Sequence, residues 1–195
     1  MKQGLSVVPD SNIKHLSVLV SLPSSSRLYE ILEQKMKTIG SSVKIISIEI
    51  IKNPLLEGMY EAVKKIIAKQ CKGYDPNERE LFHGAHGLGI DGIKENAFDD
   101  RYFNASGDWG KGAYFADDPR KSHCYTIPDP RDGTRVIYYS KVLLGIELKQ
   151  DSTNSSLVQA PLGFHSVVGT LGGFTQYIVY RYGQALPWIR IIYKA

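Results

Sequence analysis

The chain has 195 residues, with 24 Lys and Arg against 20 Asp and Glu and a net charge of +4. That length supports one domain with a substantial core and is short for two, and a mild, scattered charge carries no nucleic-acid footprint. Apolar residues make up 43% of the chain, yet no apolar run approaches the ~20 residues of a membrane-spanning helix. Cys71 and Cys124 are too few for a disulfide framework, which predicts a soluble protein of a reducing, intracellular compartment.

Residues 1–23 read as a lead-in to a single domain over 24–195, and His15 to Leu22 is too short and polar for a signal-peptide core. Ser24, Ser25 and Ser26 open a helix that carries Leu28, Ile31, Leu32 and Ile39 at helical spacing. Lys44 to Lys52 alternates, with Ile46, Ile48 and Ile50 on one face, so it is a strand. Pro54 starts a helix whose expected buried stripe is Leu55, Met59, Val63, Ile66 and Ile67.

A short strand over Glu80 to Ala85 leads into a short helix from Leu88 to Asn96 and a polar loop from Phe98 to Trp109. Gly112 to Ala116 is again a strand. Asp117, Asp118 and Pro119 form a helix start with an acidic cap, and the helix puts Ser122 and Tyr125 on one face. Period-two apolar residues from Val136 to Leu148 predict one long strand over Arg135 to Lys149, followed by a loop to Phe164. Strands resume at His165 to Val168, Gln176 to Tyr182 and Trp188 to Lys194. Many strands with helices grouped early define an α+β domain, largely antiparallel.

Gly87, Gly89 and Gly92 match a dinucleotide-binding glycine pattern between a strand and a helix. A polar loop follows where that fold needs a second hydrophobic strand ending in an acidic residue, so the match is a decoy. His83, His86, His123 and Cys124 lack zinc-finger or zincin spacing, and no metal site is expected. His83 and Gly84 pair a ring nitrogen with a bare backbone whose N–H and C=O can meet a carboxamide as another peptide would. Ser122 adds a hydroxyl, and Tyr114 and Tyr125 can sandwich an electron-poor pyridinium ring such as that of nicotinamide, each worth about 1 kcal/mol.

Five stretches in order, Leu81 to Gly84, Gly110 to Asp117, Lys121 to Tyr125, His165 to Gly169 and Tyr177 to Tyr180, resemble the catalytic domain of the poly(ADP-ribose) polymerase family. The resemblance covers about residues 44–195. It implies a split pair of mostly antiparallel sheets with flanking helices around an NAD+ cleft, and transfer of ADP-ribose from NAD+ with release of nicotinamide. By position, His83 would bond a ribose hydroxyl of the adenosine half, the Gly84 main chain and Ser122 would hold the nicotinamide amide, and Tyr114 and Tyr125 would stack on its ring. Arg101 resembles a position lining the family's donor loop near adenosine. The family's His-Tyr-Glu triad reads His83, Tyr114 and Gln176 in this chain.

Three departures carry meaning. Ala85 stands where many members have serine. The connection from Gly169 to Gln176 is very short, where polymer-forming members have a long acceptor loop. Gln176 replaces their glutamate. Bond cleavage develops positive charge on the ribose, and an amide in place of a carboxylate would cost about 2–4 kcal/mol at the transition state, or about 30- to 1000-fold in rate. A glutamine also cannot deprotonate an incoming ribose hydroxyl, so single transfer is favoured over chain growth. The expected function is mono-ADP-ribosylation by a monomeric domain, with a protein acceptor and a nucleic-acid end as its alternative. The competing reading is an impaired domain that binds NAD+ or a partner protein.

Overall fold

The computed structural model describes residues 17–104 and 106–195. The lead-in through residue 16 lies outside the described residues. Val18–Ser21 forms strand β1, an edge strand that the sequence pattern did not reveal. Helix α1 runs Arg27–Lys37, where the Ser26 side chain caps the start by accepting from the Tyr29 N–H at 3.2 Å. Its buried residues are Leu32 and Met36, with Leu28 and Ile39 packed against the same core as expected, while Ile31 faces solvent.

Strand β2 spans Lys44–Lys52, with the bounds its alternating isoleucines predict. A bulge between Ile45 and Ser47 shifts the register, and it turns Ile46 outward while Ile48 and Ile51 are buried. Helix α2, Pro54–Gln70, has Asn53 as its cap and Pro54 in the first turn. It buries Leu56, Tyr60 and Ile67, leaving Leu55 and Ile66 exposed. Of the expected stripe, Met59, Val63 and Ile67 face the core while Leu55 and Ile66 do not, because α2 docks on Leu143 and Leu186 of the sheet through the Leu56 side.

Strand β3, Glu78–Ala85, is followed by helix α3, Gly89–Asn96, strand β4, Ala113–Ala116, and helix α4, Pro119–His123. The predicted long strand is two: β5, Arg135–Leu143, and β6, Glu147–Gln150. The break has a tertiary cause. The Leu144 and Gly145 N–H groups leave the ladder to donate to the Asn77 and Pro76 carbonyls, at 3.1 and 2.9 Å. Strands β7, Ser166–Leu171, β8, Phe174–Val179, and β9, Ala185–Lys194, complete the domain.

Among the described residues, nine strands follow the order β1-β2-β9-β5-β3-β4-β8-β7-β6. Every pairing is antiparallel except β6 with β7. Strands β3 and β4 meet at one register pair, Phe82 with Ala116, so the sheet is two halves hinged at that point. Helix α1 covers the face with Ile137 and Tyr139, and Ile90 and Ile93 of α3 cover Val136 and Tyr138 on the other. Strand β3 has antiparallel neighbours on both sides, which rules out a β-α-β dinucleotide unit at Gly87, Gly89 and Gly92.

Candidate active site

The split between β3 and β4 opens a cleft of about 710 Å³. Beyond Phe82, β3 stays paired with β5 through Ala85 but has no ladder partner on its β4 side. Its outer edge there is free to pair with a ligand amide. His83, Gly84, Tyr114, Ser122, Tyr125 and Gln176 all line this one cleft, although they come from β3, β4, α4, the segment just after α4, and β8.

His83 is set by three aromatic and main-chain contacts. Its ring lies 5.0 Å from that of Phe98 and 5.5 Å from that of Phe115. Nδ1 is 2.8 Å from the Tyr114 carbonyl oxygen. A carbonyl can only accept, so Nδ1 carries the proton. Burial among these groups pushes the imidazole below its ordinary range, against the opposing pull of that bond. A neutral ring protonated at Nδ1 leaves Nε2 as an acceptor, suited to a hydroxyl donor.

Tyr114 is tied at its tip. Its Oη accepts from the Trp109 N–H at 2.9 Å and donates to the Gly110 carbonyl at 2.7 Å. Burial pushes the phenol up to about 12, so it remains protonated at neutral pH. Ser122 is buried in α4, whose start is fixed by the Asp118 side chain accepting from the Arg120 N–H at 2.9 Å. Tyr125 follows α4 half exposed, with Lys121 Nζ 5.2 Å from its ring centre.

Gly84 has a second reason to lack a side chain. A Cβ there would lie 2.0 Å from the Ser122 carbonyl oxygen and 3.2 Å from Tyr125 Cβ. The glycine therefore lets α4 close against β3, and it holds Ser122 and Tyr125 at the cleft wall. Ala85 is buried with Ile51, Val136 and Tyr138, in surroundings that hold a methyl group.

Arg101 stands apart. Asp99 and Tyr102 line the cleft while Arg101 does not, and its exposed guanidinium is bound by the Asp99 carboxylate. Phe98, Phe115 and Trp109 were missed in the sequence. Phe98 stood only at the start of a polar loop and Phe115 only within a short strand, and the work of Trp109 depends on the strand register that sets Gly169 against Gln176.

Gln176 is 2% exposed and sits in β8 opposite Ala116 on one side and Gly169 on the other. The β7 to β8 connection is a two-residue turn, Gly172 and Gly173, both with positive φ (+61° and +80°), as a tight primed hairpin turn requires. No loop overhangs Gln176 from that hairpin. Among the described residues no group of three His, Cys, Asp or Glu side chains is arranged to hold a metal, and no helix is long and apolar enough to cross a membrane.

A split, largely antiparallel sheet with an unpaired strand edge, a histidine and two tyrosines at one cleft defines a domain of the ADP-ribosyltransferase fold. The comparisons with known proteins agree. The poly(ADP-ribose) polymerase catalytic domain profile matches residues 26–185, and the chain belongs to that family, whose members use NAD+ as co-substrate. Human protein mono-ADP-ribosyltransferase PARP12 is 28% identical over 190 residues, 93% of this chain and 26% of its own length. Human protein mono-ADP-ribosyltransferase PARP14 is 32% identical over 155 residues, 78% of this chain and 8% of its own. Mouse PARP12 is 29% identical over 193 residues, 96% and 26% respectively. The chain thus spans about a quarter or less of the length of these curated relatives.

Proposed function

We propose that this domain transfers single ADP-ribose units from NAD+ to a macromolecular acceptor and releases nicotinamide. The observation that carries the reading is the identity and setting of residue 176. A buried, uncharged glutamine shares the cleft with His83 and Tyr114, and a two-residue turn adjoins it.

The free β3 edge at Gly84 and the Ser122 hydroxyl would hold the nicotinamide carboxamide, with Tyr114 and Tyr125 against its ring. His83 Nε2, kept as an acceptor by the Tyr114 carbonyl, would take a hydrogen bond from a ribose hydroxyl. Arg101 would act from the rim on the adenosine side. As the glycosidic bond to nicotinamide breaks, Gln176 offers the ribose hydrogen bonds and no charge, so chemistry is slowed more than binding. Gln176 also supplies no base for a second ribose, which leaves single transfer as the outcome.

The relatives' names support a protein acceptor, with a nucleic-acid end as the alternative. An intracellular setting and a monomeric domain complete the reading. The test is titration of NAD+ with nicotinamide release followed directly. Saturable release accompanied by label on a macromolecule supports it. NAD+ binding with no release would instead support an NAD+-binding module.

A further inference from the structure

Trp109 is bonded to one of the three triad positions and packs on the cross-strand partner of another. Its main-chain N–H holds Tyr114 Oη, and its carbonyl accepts from Tyr180 Oη at 2.6 Å, which anchors the residue from behind. Its indole fills the space over Gly169, where a Cβ would meet Cε2 at 2.2 Å and Nε1 at 2.5 Å. Gly169 is the cross-strand partner of Gln176. Side chains of directly opposed residues in an antiparallel pair share a face, with Cβ atoms about 4.5–5.5 Å apart. The indole N–H therefore lies beside the Gln176 side chain.

Trp109 Nε1 and Gln176 Nε2 are both buried donors without a hydrogen-bond partner among the described residues. Leaving two such donors side by side is costly, and one rotation removes the conflict. Turning the carboxamide by half a turn puts Oε1 in the buried position, next to an indole that can only donate. The Nε2 hydrogens then exchange places with Oε1, on the side of the cleft that Gln176 lines.

We propose that Trp109 is a positioning residue for Gln176: its indole N–H donates to Oε1 and so presents the amide hydrogens of Gln176 to the ribose oxygens of NAD+. The proposal rests on the reading of Gln176 as a residue of the NAD+ site. It makes Trp109 the link between that site's tyrosine and its glutamine, one through main chain and the other through side chain. It also gives Gln176 a role that a carboxylate lacks, since a carboxylate in its place could accept from Trp109 but donate nothing to the ribose.

The test uses the 15N-labelled chain, whose two tryptophans are told apart by Trp188→Phe. The Trp109 indole proton should move upfield in Gln176→Leu, which removes the acceptor, and downfield in Gln176→Glu, which charges it. No movement, or movement in the same direction in both, overturns the bond. In turnover, Trp109→Phe frees the carboxamide to reorient and should change kcat about fivefold or more with KM for NAD+ little changed, and cause no further change in a Gln176→Leu background. An equal change in both backgrounds makes Trp109 an ordinary core residue and overturns the proposal. Gln176→Leu with unchanged turnover overturns the site reading of Gln176, while the paired shifts still decide whether Trp109 holds its carboxamide.

Discussion

His83 Nδ1 lies 2.8 Å from the main-chain oxygen of Tyr114, so one strand of the split sheet sets the tautomer of the histidine on the other. The contact bridges β3 and β4 just where their ladder has stopped. It converts an unremarkable histidine at a strand end into an acceptor pointed by its own proton. His83→Ala should weaken NAD+ binding by at least about tenfold while the fold survives, because only one hydrogen bond to the protein is lost. Calorimetric titration checks this, and unchanged affinity with a collapsed melting temperature would make the residue structural.

The imidazoles of His83, His123 and His165 are all held below the ordinary value of 6.5, in each case chiefly by burial. Their folded forms take a proton less readily than the unfolded chain does. The stability they contribute is full above pH 6.5 and is lost as pH falls below it toward the lowered folded values. At His165 the loss has a visible contact, since Nδ1 accepts from the Ile146 N–H at 3.1 Å and cannot do so once protonated. Thermal melts from about pH 8 to about pH 5 should show the melting temperature falling on the acid side, and NAD+ affinity should fall with it as His83 Nε2 ceases to accept.

Tyr114→Phe keeps the stacking ring but leaves the Trp109 N–H without its acceptor. The expected cost is about 1–2 kcal/mol of stability, with a loss of benzamide affinity below about tenfold. Tyr114→Ala removes both and should exceed that loss. Equal affinities for the two variants would show that the ring does not contact the ligand.

Gly84→Ala inserts a methyl group 2.0 Å from the Ser122 carbonyl oxygen, inside the sheet-to-α4 contact. Overpacking of this kind costs about 1–3 kcal/mol. Because α4 carries Ser122 and Tyr125, benzamide affinity should fall together with the melting temperature. A drop in stability with affinity preserved would place the amide site elsewhere.

Gln176→Glu restores a charge facing the developing positive ribose and should raise the rate of nicotinamide release at least about tenfold, equivalent to ~1.4 kcal/mol. Single transfer should persist, since the Gly172–Gly173 turn remains. Unchanged turnover would mean that residue 176 does not face the ribose.

Much of this was legible in the chain because local pattern and tertiary demand agreed. The isoleucine alternation of β2 gave its ends, and Pro54 and Asp118-Pro119 marked helix starts, the second with the acidic cap expected and the first with an Asn53 cap that the structure adds. In helix α2 the expected Met59, Val63 and Ile67 face the core but Leu55 and Ile66 do not, because Leu55 and Leu56, like Ile66 and Ile67, are adjacent apolar pairs and only docking on Leu143 and Leu186 chooses between their members. The break between β5 and β6 depends on the carbonyls of Pro76 and Asn77, distant in sequence and invisible to periodicity. The cleft residues were legible through ordered motifs, whereas the place of Trp109 was not, since it follows from the register that sets Gly169 against Gln176.

The most direct measurement is the length of product made from labelled NAD+ by the unmodified chain in the presence of cell lysate, resolved with and without nuclease. Nicotinamide release and a single ADP-ribose on each modified site of a nuclease-resistant acceptor are expected. Long ADP-ribose polymer from this chain would overturn the single-transfer reading.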